Sequence, residues 1–201
     1  MQGLYALKPW YSRRLGRIVR FAVDRGISPD VFTLLGIAGA LLAACCVALG
    51  WWLPAILMLA VRLGGANLDG AVARARGVSR PWGFVLNEIG DRCSDLIVFG
   101  GLFALAARSD GMASTPAVLV ATAAVAATLP TTASLAAAGA GATRRNGGPF
   151  GKTERCLAMV VATAFPGVLG WVCAVILAGS LLTATVRLWA AHRELAEQVA
   201  G

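Results

Sequence analysis

Long apolar segments recur along this chain, and each is close to the length that a helix needs to cross a lipid bilayer. Crossing takes roughly 20 apolar residues, and backbone groups in hydrocarbon must be satisfied within the segment itself, which favours helices. Six segments of the 201-residue chain approach that length: 30–49, 53–73, 82–107, 116–138, 154–168 and 169–188. A composition of 58% hydrophobic and 14% charged residues agrees with this. We predict an all-α polytopic membrane protein with six transmembrane helices.

The segment that precedes these spans has a different pattern. In residues 1–27, apolar side chains such as Leu15, Ile18 and Val19 recur at helical spacing among arginines. This pattern is typical of an amphipathic helix that lies on anionic membrane lipids. A contact of Arg13 or Arg17 with a substrate phosphate is the alternative. We therefore divide the chain into a juxtamembrane segment (1–27), a transmembrane domain (28–192) and a tail (193–201).

Lys and Arg are unevenly distributed among the predicted loops. Most lie in the N-terminal segment, the turn at 74–80, the loop at 144–155 and the tail, whereas the other loops are nearly free of them. By the positive-inside rule the basic loops and both termini face the cytoplasm. The same bias accounts for the net charge of +8. Nothing in the sequence points to nucleic acid as a partner.

The stretch from Arg62 to Asp95 combines apolar surroundings with a high density of charge. Eight of its charged residues are Asp69, Arg74, Arg76, Arg80, Glu88, Asp91, Arg92 and Asp95. Charges inside a membrane face one another or a water-filled cavity and mark functional sites. We therefore expect the functional site in this stretch, open to the cytoplasm.

Oxygen-bearing side chains in this stretch follow helical spacing. Asn87, Asp91 and Asp95 are four residues apart and share one face of a helix. Asp69 lies near the end of the preceding helix, so an antiparallel pair of helices would bring it close to them. Clustered carboxylate and amide oxygens suit a hard divalent cation. We predict that Asp69, Asn87, Asp91 and Asp95 bind Mg2+ or Mn2+.

The order of residues in this stretch resembles the signature of the CDP-alcohol phosphotransferase (CDP-alcohol phosphatidyltransferase) family, D-x2-D-G-x2-A-R-x8-G-x3-D-x3-D. The residues that match are Asp69, Gly70, Ala73, Arg74, Gly83 and Asp91. Ala66 and Asn87 stand where the family has its first and third aspartates. Residues 27–33, Ile-Ser-Pro-Asp-Val-Phe-Thr, are also similar to the segment with which the first transmembrane helix of that family begins.

This resemblance implies an integral membrane enzyme of phospholipid synthesis. The family transfers a phosphatidyl-type group from a CDP-linked lipid to an alcohol and releases CMP. The resemblance makes Asp91 the general base near the acceptor hydroxyl. It makes Gly70, Ala73, Arg74 and Gly83 substrate-binding positions, with Arg74 on a phosphate and with Gly70 and Ala73 leaving room for the cytidine. It also implies a homodimer.

The two departures leave other functions open. The family is expected to bind two metal ions with its first three aspartates. Ala66 offers no ligand, and Asn87 offers a carbonyl oxygen without negative charge. Asn67, Glu88 and Asp95 could replace the missing carboxylates. Asp95, one turn past Asp91, is better placed than Asn67. One alternative is a catalytically silent homologue that binds lipid or nucleotide or supports a partner enzyme. Another is an enzyme that acts on a different diphosphate with fewer metals.

The loop at 141–155 combines glycines with cations. Its Gly-Lys-Thr is not a P-loop, because the first glycine is wrongly spaced and no strand precedes it. Flexible backbone and nearby cations nevertheless suit an anion, and the run resembles the start of the fifth helix in the same family. We predict that Lys152 and Arg155 contact a substrate phosphate; otherwise they are ordinary positive-inside residues. The sequence leaves the acceptor open between a small alcohol and a phosphorylated one.

Overall fold

The computed structural model describes residues 15–200, and every regular element within them is helical. In chain order the helices are α1 (Gly16–Asp24), α2 (Pro29–Ala48), α3 (Trp52–Ala75), α4 (Pro81–Asp110), α5 (Thr115–Gly139), α6 (Lys152–Ala164) and α7 (Leu169–Ala200). A short 3-10 turn, Pro166–Val168, joins α6 to α7. The predicted all-α class is therefore confirmed.

Local sequence explains where several of these helices begin. Ser28 caps α2 by accepting a hydrogen bond from the backbone N–H of Asp30, and Pro29 occupies the first helical position. Ser114 caps α5 in the same way through the N–H of Ala117. Between α3 and α4 the chain turns at Gly77, whose φ of 66° favours glycine.

All six predicted spans correspond to helices, but only some of these helices meet the length and apolarity that a span requires. Those that do are α2, α3, α5 and the segment from Pro166 to Gln198 that contains α7. Helix α4 has 30 residues but carries charges between residues 88 and 95 and again in its last turn, and α6 has only 13 residues. That α4 and α6 cross the membrane stays a prediction, as does the interfacial position of α1. The predicted role of Arg13, with the rest of residues 1–14, lies outside the described residues.

Glycines allow α2 to pack closely against both α3 and α4. A Cβ atom added to Gly65 of α3 would lie 2.6 Å from the carbonyl oxygen of Phe32 and 2.7 Å from the amide nitrogen of Gly36. A Cβ added to Gly101 of α4 would lie 2.6 Å from the carbonyl oxygen of Ala44. No larger residue fits either contact without displacing backbone. The three helices therefore form one tightly packed unit that carries most of the charged stretch.

Large apolar side chains cover much of the outside of the bundle. Leu34 is 66% exposed, Val125 66% and Trp171 79%. The interior is filled by small and medium residues such as Ala43, Ala123 and Ile176. A soluble protein rarely exposes so many large apolar residues together. With the four apolar helices, this surface is that of an integral membrane protein.

The predicted tail overlaps the last helix of the structure. Helix α7 continues through it to Ala200. Glu194 in this part of α7 accepts hydrogen bonds from the backbone N–H and the hydroxyl of Thr143, at 2.7 and 2.6 Å, and it also pairs with Arg145. The last turns of α7 therefore hold the loop between α5 and α6.

Candidate functional site

A cavity of about 1050 Å³ opens among α2, α3, α4, α6 and α7. Nine of the ten predicted site residues line it: Asp69, Gly70, Ala73, Arg74, Gly83, Asn87, Asp91, Lys152 and Arg155. Cations outnumber carboxylates in this lining. The carboxylates are those of Asp30, Asp69, Glu88, Asp91 and Glu154. The cations are those of Arg74, Arg76, Arg80, Arg92, Arg144, Lys152, Arg155 and Arg187. Such a cavity favours a ligand with negative charge.

Asp69 lies where three helices meet at the cavity. Its carboxylate accepts hydrogen bonds from the hydroxyl of Thr33 on α2, at 2.9 Å, and from the side-chain amide of Asn87 on α4. The backbone N–H of Gly70 donates to its other oxygen at 2.5 Å. The side chain is 5% exposed. Asn87, which stands where the family signature has an aspartate, is thus a direct partner of Asp69.

Asp91 joins α4 to the start of α6. Its carboxylate pairs with the ammonium group of Lys152 at 2.6 Å, and the residue is 9% exposed. Lys152 was predicted to contact a substrate phosphate, and it lines the cavity while it holds Asp91. The pair fixes the Asp91 carboxylate at the cavity wall, where a ligand can reach it.

Gly70, one of the small residues that match the signature, lies directly beside Arg74. A Cβ atom there would lie 3.1 Å from a terminal nitrogen of Arg74. Gly70 therefore makes room for the guanidinium of Arg74, whereas the resemblance had suggested room for the cytidine. At Gly83 a Cβ would lie 3.3 Å from Cγ of Arg80. In both places the missing side chain leaves space for an arginine that lines the cavity.

Asp95 is the one predicted site residue that does not line the cavity. It is 3% exposed and pairs with Arg62 of α3, with Arg155 of α6 at 3.3 Å and with Arg92 at 3.4 Å. Each four-residue step turns a helix about 40° beyond a full turn, so Asp95 lies about 80° round α4 from Asn87. The structure thus directs Asp95 into an ion-pair cluster behind the cavity, and its prediction as a metal ligand has no support in this arrangement.

Several residues at or behind the cavity were not singled out from the sequence. Arg187 donates to three carbonyl oxygens, those of Pro130 at 2.6 Å, Asn146 at 2.7 Å and Gly147 at 3.0 Å. Glu88 belongs to the charged stretch and Arg144 to the basic loop, but their pairing at 2.5 Å was not predicted. A signal for two of the missed residues was available, because Arg62 and Arg187 are isolated cations in apolar segments, which mark function in membranes.

The oxygen donors at the cavity decide which metal complement fits. Within residues 15–200, no three His, Cys, Asp or Glu side chains converge as a metal cluster. Asp69 and Asp91 face the cavity, with the carbonyl oxygen of Asn87 as a neutral third donor. Mg2+ is commonly held by one or two carboxylates that substrate phosphates and water complete. A donor set of this kind would hold one such ion together with a phosphorylated ligand.

Curated relatives of the chain include phosphatidylinositol phosphate synthases. That of Mycobacteroides abscessus is 32% identical over 178 residues, which are 82% of this chain and 77% of the relative. That of Streptomyces avermitilis is 33% identical over 99 residues, 49% of this chain and 40% of the relative. Inner membrane protein YnjF of Escherichia coli is 35% identical over 98 residues, 49% of this chain and 48% of the relative. The last two matches span less than half of each relative. No protein-family model matches the chain.

Solved structures with the same fold include those of the Mycobacterium tuberculosis phosphatidylinositol phosphate synthase. The crystal structure with CDP-DAG bound has a TM-score of 0.77 at 24% identity and covers 89% of this chain and 94% of that one. The structure in complex with manganese and citrate has a TM-score of 0.74 and covers 87% of each chain. At this identity the likeness establishes the arrangement of the helices.

Proposed function

Because the chain belongs to the CDP-alcohol phosphotransferase family, we propose that it transfers a phosphatidyl-type group from a CDP-linked lipid to an alcohol and releases CMP. The observation that carries this proposal is the single cavity in which Asp69, Arg74, Asp91, Lys152 and Arg155 meet. These residues supply carboxylates and cations where a diphosphate and a hydroxyl would have to meet. The CDP-DAG bound to the structural neighbour supports a CDP-linked donor.

The donor diphosphate belongs in this proposal near the end of α3. Arg74 extends over Gly70 and can pair with a phosphate oxygen there. Asp69 lies beside them and is held in place by Thr33 and Asn87. The lipid tails of the donor would leave the cavity toward the apolar exterior of the bundle. The protein thus positions the diphosphate between fixed groups, which is the main task in phosphoryl transfer.

Asp91 is the proposed general base. The acceptor hydroxyl oxygen attacks the phosphorus that carries the diacylglycerol, and the bond from that phosphorus to the CMP oxygen breaks. CMP leaves with the electron pair of that bond, and the Asp91 carboxylate takes the hydroxyl proton. Lys152 keeps the carboxylate facing the cavity through their 2.6 Å contact.

One divalent cation is the metal complement that we propose. Asp69, Asp91 and the carbonyl of Asn87 would hold it, and when bound it supplies positive charge to the diphosphate. The manganese in a structural neighbour supports a divalent metal in this fold. Asp95 is left out of the set, because Arg62 and Arg155 occupy its carboxylate.

The proposed acceptor carries a phosphate of its own. Arg155 of α6 and Arg187 of α7 lie in the cavity wall, and both are buried, at 2% and 7% exposure. Arg187 donates its hydrogen bonds to carbonyl oxygens and forms no ion pair with a carboxylate within residues 15–200. Two relatives named phosphatidylinositol phosphate synthase support a phosphorylated alcohol such as inositol phosphate.

We further propose that the cavity and both termini face the cytoplasm and that α4 and α6 cross the membrane. The support is the distribution of Lys and Arg among the loops. Helix α4 can cross because its charges point into the bundle, where Asp91, Ser94 and Asp95 are buried. The homodimer that the resemblance implies stays a prediction.

A catalytically silent homologue is the second candidate function. It is favoured by Ala66 and by Asn87, whose amide donates to Asp69 instead of offering charge to a metal. Such a protein would still bind a CDP-linked lipid through Arg74 and the basic wall. It would form no new phospholipid.

Product analysis separates the two candidates. The purified protein in detergent is incubated with CDP-diacylglycerol, Mg2+ or Mn2+ and single acceptors: inositol phosphate, glycerol phosphate, inositol or serine. We expect mass spectrometry to find a new phospholipid with a phosphorylated acceptor and none with inositol or serine. A raised melting temperature with CDP-diacylglycerol, but no product with any acceptor, would instead establish the silent homologue.

A further inference from the structure

A buried cluster of charges lies directly behind the cavity wall. It joins α3, α4 and α6 through Arg62, Asp95 and Arg155, which are 1%, 3% and 2% exposed. Arg155 belongs both to this cluster and to the cavity lining, whereas Arg62 and Asp95 do not line the cavity. The cluster is therefore placed to control one cavity residue from behind.

The contacts of Asp95 are unequally shared among its cationic neighbours. One carboxylate oxygen pairs with Arg62. The other lies 3.3 Å from Arg155 and 3.4 Å from Arg92, both longer than the usual charge-assisted hydrogen bond. Arg62 is held in turn by Cys156, whose sulfur accepts a hydrogen bond from it at 3.0 Å. Arg62 is thus the main partner of Asp95, and Arg155 is a secondary one.

The ion pairs around Asp95 contain more positive than negative charge. Three guanidinium groups, those of Arg62, Arg92 and Arg155, surround a single carboxylate. The Nε atoms of all three are buried and have no hydrogen-bond partner among the described residues. Unsatisfied buried donors are costly. An anion in the cavity would offset this excess of positive charge at Arg155, which lines it.

We propose that Arg62 is a positioning residue: by neutralising Asp95 it prevents that carboxylate from capturing Arg155, and so leaves Arg155 available for a phosphate in the cavity. Asp95 gives Arg155 a weak anchor that sets its direction. This inference rests on the proposed function for the identity of the phosphate, which would be that of the acceptor. The recognition of a phosphate by Arg155 can be measured without turnover.

A double-mutant cycle tests this role. In Arg62→Gln, Asp95 loses its main partner and should draw Arg155 away from the cavity. Affinity for inorganic phosphate, from a ³¹P NMR titration of the purified protein, should then fall about tenfold, as contacting charges couple on that scale. In Arg62→Gln/Asp95→Asn no carboxylate is left to capture Arg155, so most of that loss should be recovered. Asp110→Asn, the same change at the far end of α4, should leave the affinity unchanged.

Kinetics and stability separate positioning from a purely structural role. If CMP is released, Arg62→Gln should raise KM for the phosphorylated acceptor about tenfold while KM for CDP-diacylglycerol stays within about twofold. The melting temperature of each variant is measured beside these values. A loss of melting temperature with unchanged phosphate affinity would overturn the inference, as would a wild type that binds no phosphate or a double variant weaker than Arg62→Gln. Recovery of phosphate binding in a protein that releases no CMP would support the inference while the proposed function fails.

Discussion

At Asn87 a single amide takes the place of a carboxylate, and this changes what Asp69 contacts. The amide donates to Asp69, and the hydroxyl of Thr33 donates to the same carboxylate. A carboxylate at residue 87 could not donate and would repel Asp69 unless a cation lay between them. The Asn87 amide therefore holds Asp69 in place without a metal ion, and as a neutral ligand it would bind a divalent cation more weakly than a carboxylate would.

Asn87→Asp should make the protein depend on metal. Without a divalent cation the two neighbouring carboxylates should lower the melting temperature relative to the wild type. With one, the added charge should tighten Mn2+ binding roughly tenfold, since ligand charge sets affinity at such sites. Electron paramagnetic resonance of a Mn2+ titration and thermal unfolding with and without EDTA measure both effects.

Asn67→Asp is the matched control for that variant. Asn67 also lines the cavity, but its amide donates to the carbonyl oxygen of Leu63 and not to Asp69. It should change Mn2+ affinity by less than Asn87→Asp does. Equal gains in the two variants would mean that general cavity charge, and not a ligand at residue 87, controls metal binding.

Sequence reasoning located most of the site residues but not their partners. Spacing and the signature placed Asp69 and Asp91 correctly at one cavity, because helical periodicity determines which residues share a face. The same periodicity grouped Asp95 with them, but small rotations accumulate along α4, and Arg62 on another helix pairs with Asp95 behind the cavity. Pairings such as Asp91 with Lys152, 61 positions apart, depend on tertiary packing and have no local signal.

The helices themselves depend on glycine contacts that can be tested directly. Gly65→Ala should destabilise the protein by about 1–3 kcal/mol, the usual cost of overpacking, because the new Cβ would lie 2.6 Å from the Phe32 carbonyl oxygen. Thermal unfolding in detergent measures this. In Gly100→Ala nothing lies within 4 Å of the added Cβ, so that variant should be neutral or slightly more stable. If both variants lost the same stability, the loss in Gly65→Ala would not come from the close contact between α2 and α3.

Arg187 should hold the loop between α5 and α6 in place. Its guanidinium donates in three directions, to Pro130, Asn146 and Gly147, whereas a lysine cannot reproduce that planar fork. Arg187→Lys should therefore speed hydrogen exchange of the backbone amides in residues 144–151 several-fold. Arg193→Lys is the control. Arg193 lies further along α7, with its guanidinium over the ring of Trp189, and its replacement should not alter this exchange. Unchanged exchange in Arg187→Lys would mean that other contacts, such as Thr183 with Phe150, are sufficient.

Element boundaries were largely predictable from the sequence, but membrane crossing was not settled by apolarity. Caps and prolines set the starts of α2, α4 and α5 within a residue or two of the predicted limits. Helix α6 stops at Ala164, before Pro166, as expected of proline. Of the charged residues that lower the apolarity of α4, Glu88, Asp91 and Arg92 line the cavity, whereas Asp95 pairs with Arg62 and Arg155 behind it.

At the scale of the whole molecule, six crossings would place the turn at residues 76–80 and the loop at 111–114 on opposite sides of the membrane. We expect an impermeant maleimide to label Met112→Cys, which is 74% exposed, from outside intact cells. Ser79→Cys should react only after the cells are permeabilised. Both are made in a variant without the five native cysteines. Labelling of both sites from the same side would exclude the proposed crossing of α4.

Release of CMP shows whether the cavity catalyses transfer from a CDP-linked lipid. Wild type, Asp91→Asn and the control Asp110→Asn are compared with CDP-diacylglycerol and inositol phosphate, with and without Mg2+. We expect CMP release by the wild type and the control that requires both acceptor and metal, and a loss of at least about 100-fold in Asp91→Asn, the effect of removing a general base. Equal CMP release by Asp91→Asn and the wild type, or none by the wild type under any condition, would contradict the account.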